Sequence, residues 1–317
     1  MKVAILDDYQ DVARSYADWD SLKPACEITA FHEHFEGDAL VAKLADFECV
    51  CLMRERTPIT RELLEKLPKL KLLITTGLRN ASVDVQACTD HGVQFCGTEG
   101  HGPPTVEMTW ALMLALARHI PQEARALRLG KWMTTVGVDI SGTTLGVLGL
   151  GRLGGGVAKI GLAFGMKVIA WSQNLTAERC AQIGATLVDK DTLFRQSDFL
   201  TIHMVLSERS KGLVGAQDIA KMKPSAFLIN TSRGPIVDED ALLAALRANK
   251  IRGAGIDVYS HEPLPVDHPF RSMDNLVASP HLGYVTEIGY KIFFEHTVED
   301  IREFLKGNVV RGVNKLS

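Results

Sequence analysis

Arg233, Glu262 and His281 lie at the ends of successive apolar segments in the last third of a 317-residue chain. Arginine presents a planar fork of donors suited to gripping a carboxylate at two points. Histidine moves protons near neutral pH, and a carboxylate beside it favours the imidazolium. A cation, a proton carrier and a tuning acid are what hydride transfer to and from a 2-oxo acid requires. Taken singly, each has a plain structural explanation: a surface ion pair, a loop acid before Pro263, a buried histidine. Together, downstream of a dinucleotide fingerprint, they point to chemistry.

That fingerprint is Gly149-Leu150-Gly151-Arg152-Leu153-Gly154, entered from Val147-Leu148. The first glycine permits a tight turn, the second lets backbone approach a pyrophosphate, and the third lets the following helix pack on the strand. The helix N-terminus then faces the anion. Residues 167–171 read as a second buried strand, which completes the required βαβ context. Past that strand the acid expected at the ribose of NAD is replaced by Ser172, followed by Gln173 and Asn174. A 2′-phosphate is then neither repelled by a carboxylate nor recognised by an adjacent arginine. Arg179, on the next predicted helix, reads as a solvated surface charge. NAD and NADP both stay open, and dual use is expected.

The elements that must position these groups alternate regularly. Strand-like runs at 186–188, 199–203, 226–230, 253–257 and 276–278 are separated by helical stretches such as 239–248, the pattern of a parallel, doubly wound α/β sheet. Strand carboxyl ends line the ligand crevice in such sheets, which gathers His203, residues 230–233, Asp257 and His281 around one cleft. Residues 1 to about 100 carry their own α/β pattern, with strands near 3–6, 48–52, 72–75 and 93–96 and no glycine fingerprint.

Gly149 to Gly154, then Asn230-Thr231-Ser232-Arg233-Gly234-Pro235, Asp257-Val258-Tyr259-Ser260-His261-Glu262-Pro263 and Ser279-Pro280-His281-Leu282-Gly283, resemble in order the signatures of the D-isomer-specific 2-hydroxyacid dehydrogenases. Phosphoglycerate dehydrogenase and the hydroxypyruvate and glyoxylate reductases belong to that family, and the resemblance covers nearly the whole chain. It implies two doubly wound α/β domains: a Rossmann dinucleotide-binding domain at 101–285, inserted into a flavodoxin-like substrate domain at 1–100 and 286–317. Hinges fall near 99–104 and 281–284, with domain closure expelling water from the hydride path. It further implies that Arg233 binds the substrate carboxylate and carbonyl, that His281 is the acid/base and that Glu262 is its partner. Cofactor contacts carried by the resemblance are Gly149, Gly151, Arg152, Leu153, Gly154, Ser172, His203, Thr231, Ser232, Arg233, Asp257, His281 and Gly283. Substrate contacts are Arg54, Gly77, Leu78, Arg79, Arg233 and His281.

The chain departs from the family where Arg79 stands in place of a common glycine, either as a second substrate cation or as a solvated loop charge. Arg54 matches a commonly basic position. Relatives acting on formate carry glutamine where this chain has Glu262, so a hydroxyl/carbonyl pair is the expected substrate. The rival class is an NAD(H)-sensing binding protein resembling the dehydrogenase-like transcriptional corepressors, disfavoured by the absence of a low-complexity recruitment tail.

Composition is that of an ordinary soluble globular protein, 46% hydrophobic and 23% charged. A net charge of −3 gives no reason to expect nucleic-acid or acidic-membrane partners. The chain opens directly on a strand-like run, no secretory signal is read, and the apolar stretch 110–117 is too short to span a bilayer. Six cysteines (Cys26, Cys49, Cys51, Cys88, Cys96, Cys180) lack C-x-x-C spacing and are read as reduced and structural in a cytoplasmic protein. No metal is expected, either at Cys49 and Cys51 or at His32 and His34, where no third ligand is in view. Segment 121–138, carrying Leu127, Leu129, Trp132 and Met133, corresponds to an arm that embraces a second subunit in the family, so a homodimer is expected.

Overall fold

A computed structural model describes residues 1–316. The chain forms two compact units, Met1–His101 joined by the segment from Val285 onward, and Gly102–Tyr284. The first contains β1 (Lys2–Ile5), β2 (Glu27–Ala30), α1 (Gly37–Leu44), β3 (Cys49–Leu52), α2 (Arg61–Glu65), β4 (Leu72–Thr75), α3 (Val85–Asp90) and β5 (Gln94–Gly97). Every residue of β3, β4 and β5 is buried, as parallel strands covered on both faces require. Strand order is β2-β1-β3-β4-β5, all parallel, a flavodoxin-type order. Sequence patterning does not show β2. This edge strand begins on exposed Glu27 and is only half-buried thereafter, so it carries no continuous apolar run.

The second unit begins with α4 (Pro103–Ala117) and α5 (Ile120–Arg128). It continues through β6 (Thr144–Leu148), α6 (Arg152–Ala163), β7 (Lys167–Trp171), α7 (Ala177–Ile183), β8 (Thr186–Leu187), α8 (Lys190–Gln196) and β9 (Phe199–Ile202). Then come α9 (Ala216–Ile219), β10 (Phe227–Asn230), α10 (Glu239–Arg247), β11 (Gly253–Ile256) and β12 (Leu276–Ala278). Its seven-stranded sheet runs β12-β11-β10-β9-β6-β7-β8, all parallel. Alternation along each strand feeds two apolar layers: Leu228 packs with Leu200, Ile256 and Leu246, while Phe227 and Ile229 pack with Trp110, Met113 and Val147 on the opposite face.

The chain then returns to the first unit through α11 (Glu287–Leu305), which buries Tyr290, Phe293, Phe294, Val298 and Ile301. Its tail closes the edge of β5. Gly312 forms an antiparallel bridge with Cys96. The Asn314 carboxamide accepts from Phe95 N at 2.7 Å and donates to Val93 O at 2.9 Å. All six cysteines are buried and unpaired. The expectation of no third ligand near His32 is corrected by the fold, which brings ligand atoms of Asp8, Asp11 and His32 within 4.8 Å of one another. The Asp8 carboxylate already accepts from Val12 N and Ala13 N, so it closes a turn. Among the described residues no helix is long and apolar enough to cross a membrane.

Candidate active site

In the second unit the strand order reverses between β6 and β9. Ligands bind at such a switch point, beyond the strand carboxyl ends. Gly149 leaves β6 there at φ +99, and a Cβ on it would lie 2.5 Å from the His203 carbonyl oxygen at the end of β9. Gly154 is equally constrained, since its Cβ would come within 2.0 Å of Gly149 O. Gly151 caps α6 without any side-chain hydrogen bond, and nothing lies within 4 Å of where its Cβ would be. The first-turn N–H groups of α6 are therefore left for an anion that approaches the bare backbone, as a dinucleotide pyrophosphate does.

Arg179 corrects its expected surface role: it is half-buried on α7, with Nε donating to Leu150 O at 3.3 Å and a terminal nitrogen against Gly155. Arg152, exposed at the start of α6, lies against Gly102, and Leu153 is half-buried. Ser172 leaves the end of β7 and lines an open pocket of about 600 Å³. His203 binds Thr201 Oγ1 through Nε2 at 2.9 Å, while Nδ1 is sealed from solvent with no partner. The ring as a whole keeps some exposure, yet burial of its nitrogens pushes the pKa down to about 4, so it is neutral at physiological pH.

The three chemistry-bearing residues follow β10, β11 and β12. At the end of β10, Asn230 accepts from Ser232 N at 3.0 Å and donates to Arg233 O at 3.1 Å, while Ser232 Oγ donates to Ile202 O. Thr231 points inward, its hydroxyl 2.8 Å from that of Thr109. Arg233 emerges from this braced turn, half-buried, with Nη1 donating to Ser232 O at 2.7 Å. Gly234 lets the turn press on the next loop: a Cβ there would lie 2.0 Å from the Tyr259 carbonyl carbon. In that loop Glu262 Oε1 accepts from Tyr259 N at 2.9 Å, and Oε2 lies 2.6 Å from His281 Nδ1.

His281 sits at φ +54, edge-on to the Tyr284 ring with centroids 5.4 Å apart. Asp257, at the end of β11, holds the loop in this shape. Its buried carboxylate accepts from Ser279 Oγ at 2.6 Å and from Leu282 N and Gly283 N at 2.7 Å each. Burial raises the Asp257 pKa despite these hydrogen bonds. With Nδ1 turned to Glu262, Nε2 is the His281 nitrogen left to exchange a proton. Sequence reading missed the parts played by Ser279 and Tyr259, whose hydroxyl donates to Ser279 O at 2.9 Å. Neither belongs to a residue type that draws attention without the fold.

Arg54, Gly77, Leu78 and Arg79 belong to the first unit. Arg54 leaves β3 at φ +54, its N bound to Thr76 Oγ1 and its Nη1 to Thr76 O at 2.8 Å. The guanidinium occupies the space over Gly77, where a Cβ would meet Nη1 at 1.8 Å. Leu78 and Arg79 are exposed.

A glycine cradle at a switch point, followed by a carboxylate-braced histidine on the same sheet, defines a dinucleotide-binding α/β unit equipped for proton transfer. Residues 110–283 match the family model described as D-isomer specific 2-hydroxyacid dehydrogenase, NAD binding domain, and the chain belongs to this family. It is 37% identical to hydroxypyruvate reductase of Thermotoga maritima, over 83% of this chain and 86% of that one. It is 36% identical to D-3-phosphoglycerate dehydrogenase of Methanocaldococcus jannaschii, over 87% of this chain and 53% of that one. The chain thus spans about half the length of the curated phosphoglycerate dehydrogenases it matches. A crystal structure of a putative D-3-phosphoglycerate dehydrogenase oxidoreductase from Ralstonia solanacearum superimposes with TM-score 0.92 at 37% identity, covering 99% of this chain and 96% of that one.

Proposed function

We propose that this protein is a nicotinamide-dependent D-2-hydroxyacid dehydrogenase working chiefly as a 2-oxo acid reductase. The observation that carries the reading is the 2.6 Å contact between His281 Nδ1 and Glu262 Oε2, on the sheet that also carries the glycine cradle. Reduction breaks the carbonyl π bond of the 2-oxo acid, adding a hydride at C2 and a proton at oxygen. Bound reduced nicotinamide supplies the hydride. The chain's own part is threefold: the Arg233 fork grips the substrate carboxylate, His281 Nε2 delivers the proton, and Glu262 orients the His281 ring through Nδ1. Glu262 is itself aimed by Tyr259 N. We further propose a cytoplasmic homodimer: six unpaired cysteines suit a reducing compartment, and residues 127–136 present exposed apolar side chains.

The test is a turnover screen of glyoxylate, hydroxypyruvate, pyruvate, phosphohydroxypyruvate and bulkier 2-oxo acids with NADH and NADPH. Oxidation of the cofactor by at least one acid is expected. Tight dinucleotide binding without turnover of any acid would instead favour the sensing protein.

A further inference from the structure

We infer that Asp189 sets cofactor choice in this protein, its charge opposing the 2′-phosphate of NADP so that the pocket at the ends of β7 and β8 takes NADH. The inference rests on the dinucleotide reading above and concerns a residue outside the glycine fingerprint.

The pocket, about 600 Å³, is lined by Trp171, Ser172 and Gln173 from the end of β7 and by Val188, Asp189 and Thr192 from the end of β8 and the start of α8. Two residues past the Ala170↔Leu187 pair of these parallel strands come Ser172 and Asp189. Both residues line the same pocket, so the serine that replaces the usual ribose acid shares it with a carboxylate. Asp189 is the one charged residue among the described residues that line the pocket. Its carboxylate accepts from Thr192 N and Thr192 Oγ1, at 2.7 Å each. The backbone bond, then the hydroxyl bond, hold its pKa below the ordinary carboxylate range, so it is ionised throughout the working pH range.

No cation is among the described residues that line the pocket. Arg179 is turned to Leu150 O at the glycine loop. Lys190 is tied to Leu213 O at 2.7 Å and Asp218 at 2.9 Å. Ser172 and Gln173 can hydrogen-bond a ribose hydroxyl, whereas a 2′-phosphate placed there meets a fixed negative charge and no arginine among the described residues that line the pocket. Asp189, in the segment that follows β8 and caps α8, thus supplies the negative charge absent after β7, and the inferred NADH preference replaces the dual use expected from Ser172 alone.

The experiment is fluorescence titration of NADH and NADPH against the wild type, Asp189→Asn and Ser172→Asp, at about 10 mM and about 200 mM salt. Asparagine caps a helix as well as aspartate, so Asp189→Asn should keep α8 folded. Wild type should bind NADH about tenfold more tightly than NADPH at the lower salt, where charges act over roughly 30 Å, with less difference at the higher. Asp189→Asn should narrow that ratio at least about threefold, mostly through NADPH, and Ser172→Asp should widen it. Equal or better NADPH binding by wild type, or an unchanged ratio in Asp189→Asn, overturns the inference while leaving the dinucleotide reading intact. Failure of both dinucleotides to bind wild type overturns the dinucleotide reading and this inference with it.

Discussion

At His281 the backbone is left-handed, a conformation that costs a non-glycine residue about 1–2 kcal/mol. The three hydrogen bonds accepted by buried Asp257 from Ser279, Leu282 and Gly283 surround that residue and offset the strain. The imidazole is thereby presented to Glu262 from a loop that cannot relax without losing those bonds. His281→Ala should lower turnover by at least about 100-fold, the usual contribution of a general acid, while NADH binding stays near wild type. Turnover unchanged from wild type would remove His281 from the chemistry. Glu262→Gln keeps the shape and removes the carboxylate that holds His281 Nδ1. Reduction of the 2-oxo acid should therefore slow by at least about tenfold while NADH binding stays near wild type, and unchanged turnover would show that the 2.6 Å contact plays no part in the reaction.

Among the elements, α11 and the tail that follows it carry the most unusual charge. Asp300 is fully buried on α11, with Arg311 Nη2 3.1 Å from its Oδ1 and 2.7 Å from Glu299 Oε2. Burial outweighs the arginine and raises the Asp300 pKa to about 6 from an ordinary 3.8. The sign follows from linkage: the native state holds this proton more tightly than the unfolded chain, so stability from this group is greatest below about pH 4. It falls as pH rises, by on the order of 3 kcal/mol, until about pH 6. Asp300→Asn removes the titration. Relative to wild type, the variant should therefore gain stability between about pH 4 and 6 and hold that gain above, as measured by urea unfolding at pH 4.5 and 7.5. A stability difference independent of pH would show that Asp300 is not charged at the cost of the fold.

At the scale of the whole molecule, Leu129, Trp132, Met133 and Val136 are 66%, 75%, 79% and 86% exposed, in one stretch after α5. Isolated exposed apolar residues are normal, but this clustering of large side chains suits a surface that a second copy would cover. Light scattering at micromolar concentration should give the mass of a dimer, and Trp132→Asp combined with Met133→Asp should shift it toward monomer. A wild-type monomer would end the proposal.

Much of the architecture is legible in the sequence because it is encoded locally. Buried parallel strands are short runs of apolar residues, so β4, β7 and β12 can be read to the residue, and Gly149 and Gly154 are demanded by backbone geometry within a few positions of one another. The order of the motifs around Arg233, Glu262 and His281 names the family for the same reason. Edge strand β2 escapes this reading because half-exposure erases its pattern. What only the tertiary structure decided depends on strands that come together from distant parts of the chain: Asp257 closing on Leu282 and Gly283, Arg179 folding back on Leu150, Asp189 standing beside Ser172. Asp189 looks like any helix cap in the sequence. It shares a pocket with the serine that lacks the ribose acid because β8 pairs in parallel with β7, and strand register, unlike hydrophobic pattern, is a property of two segments at once.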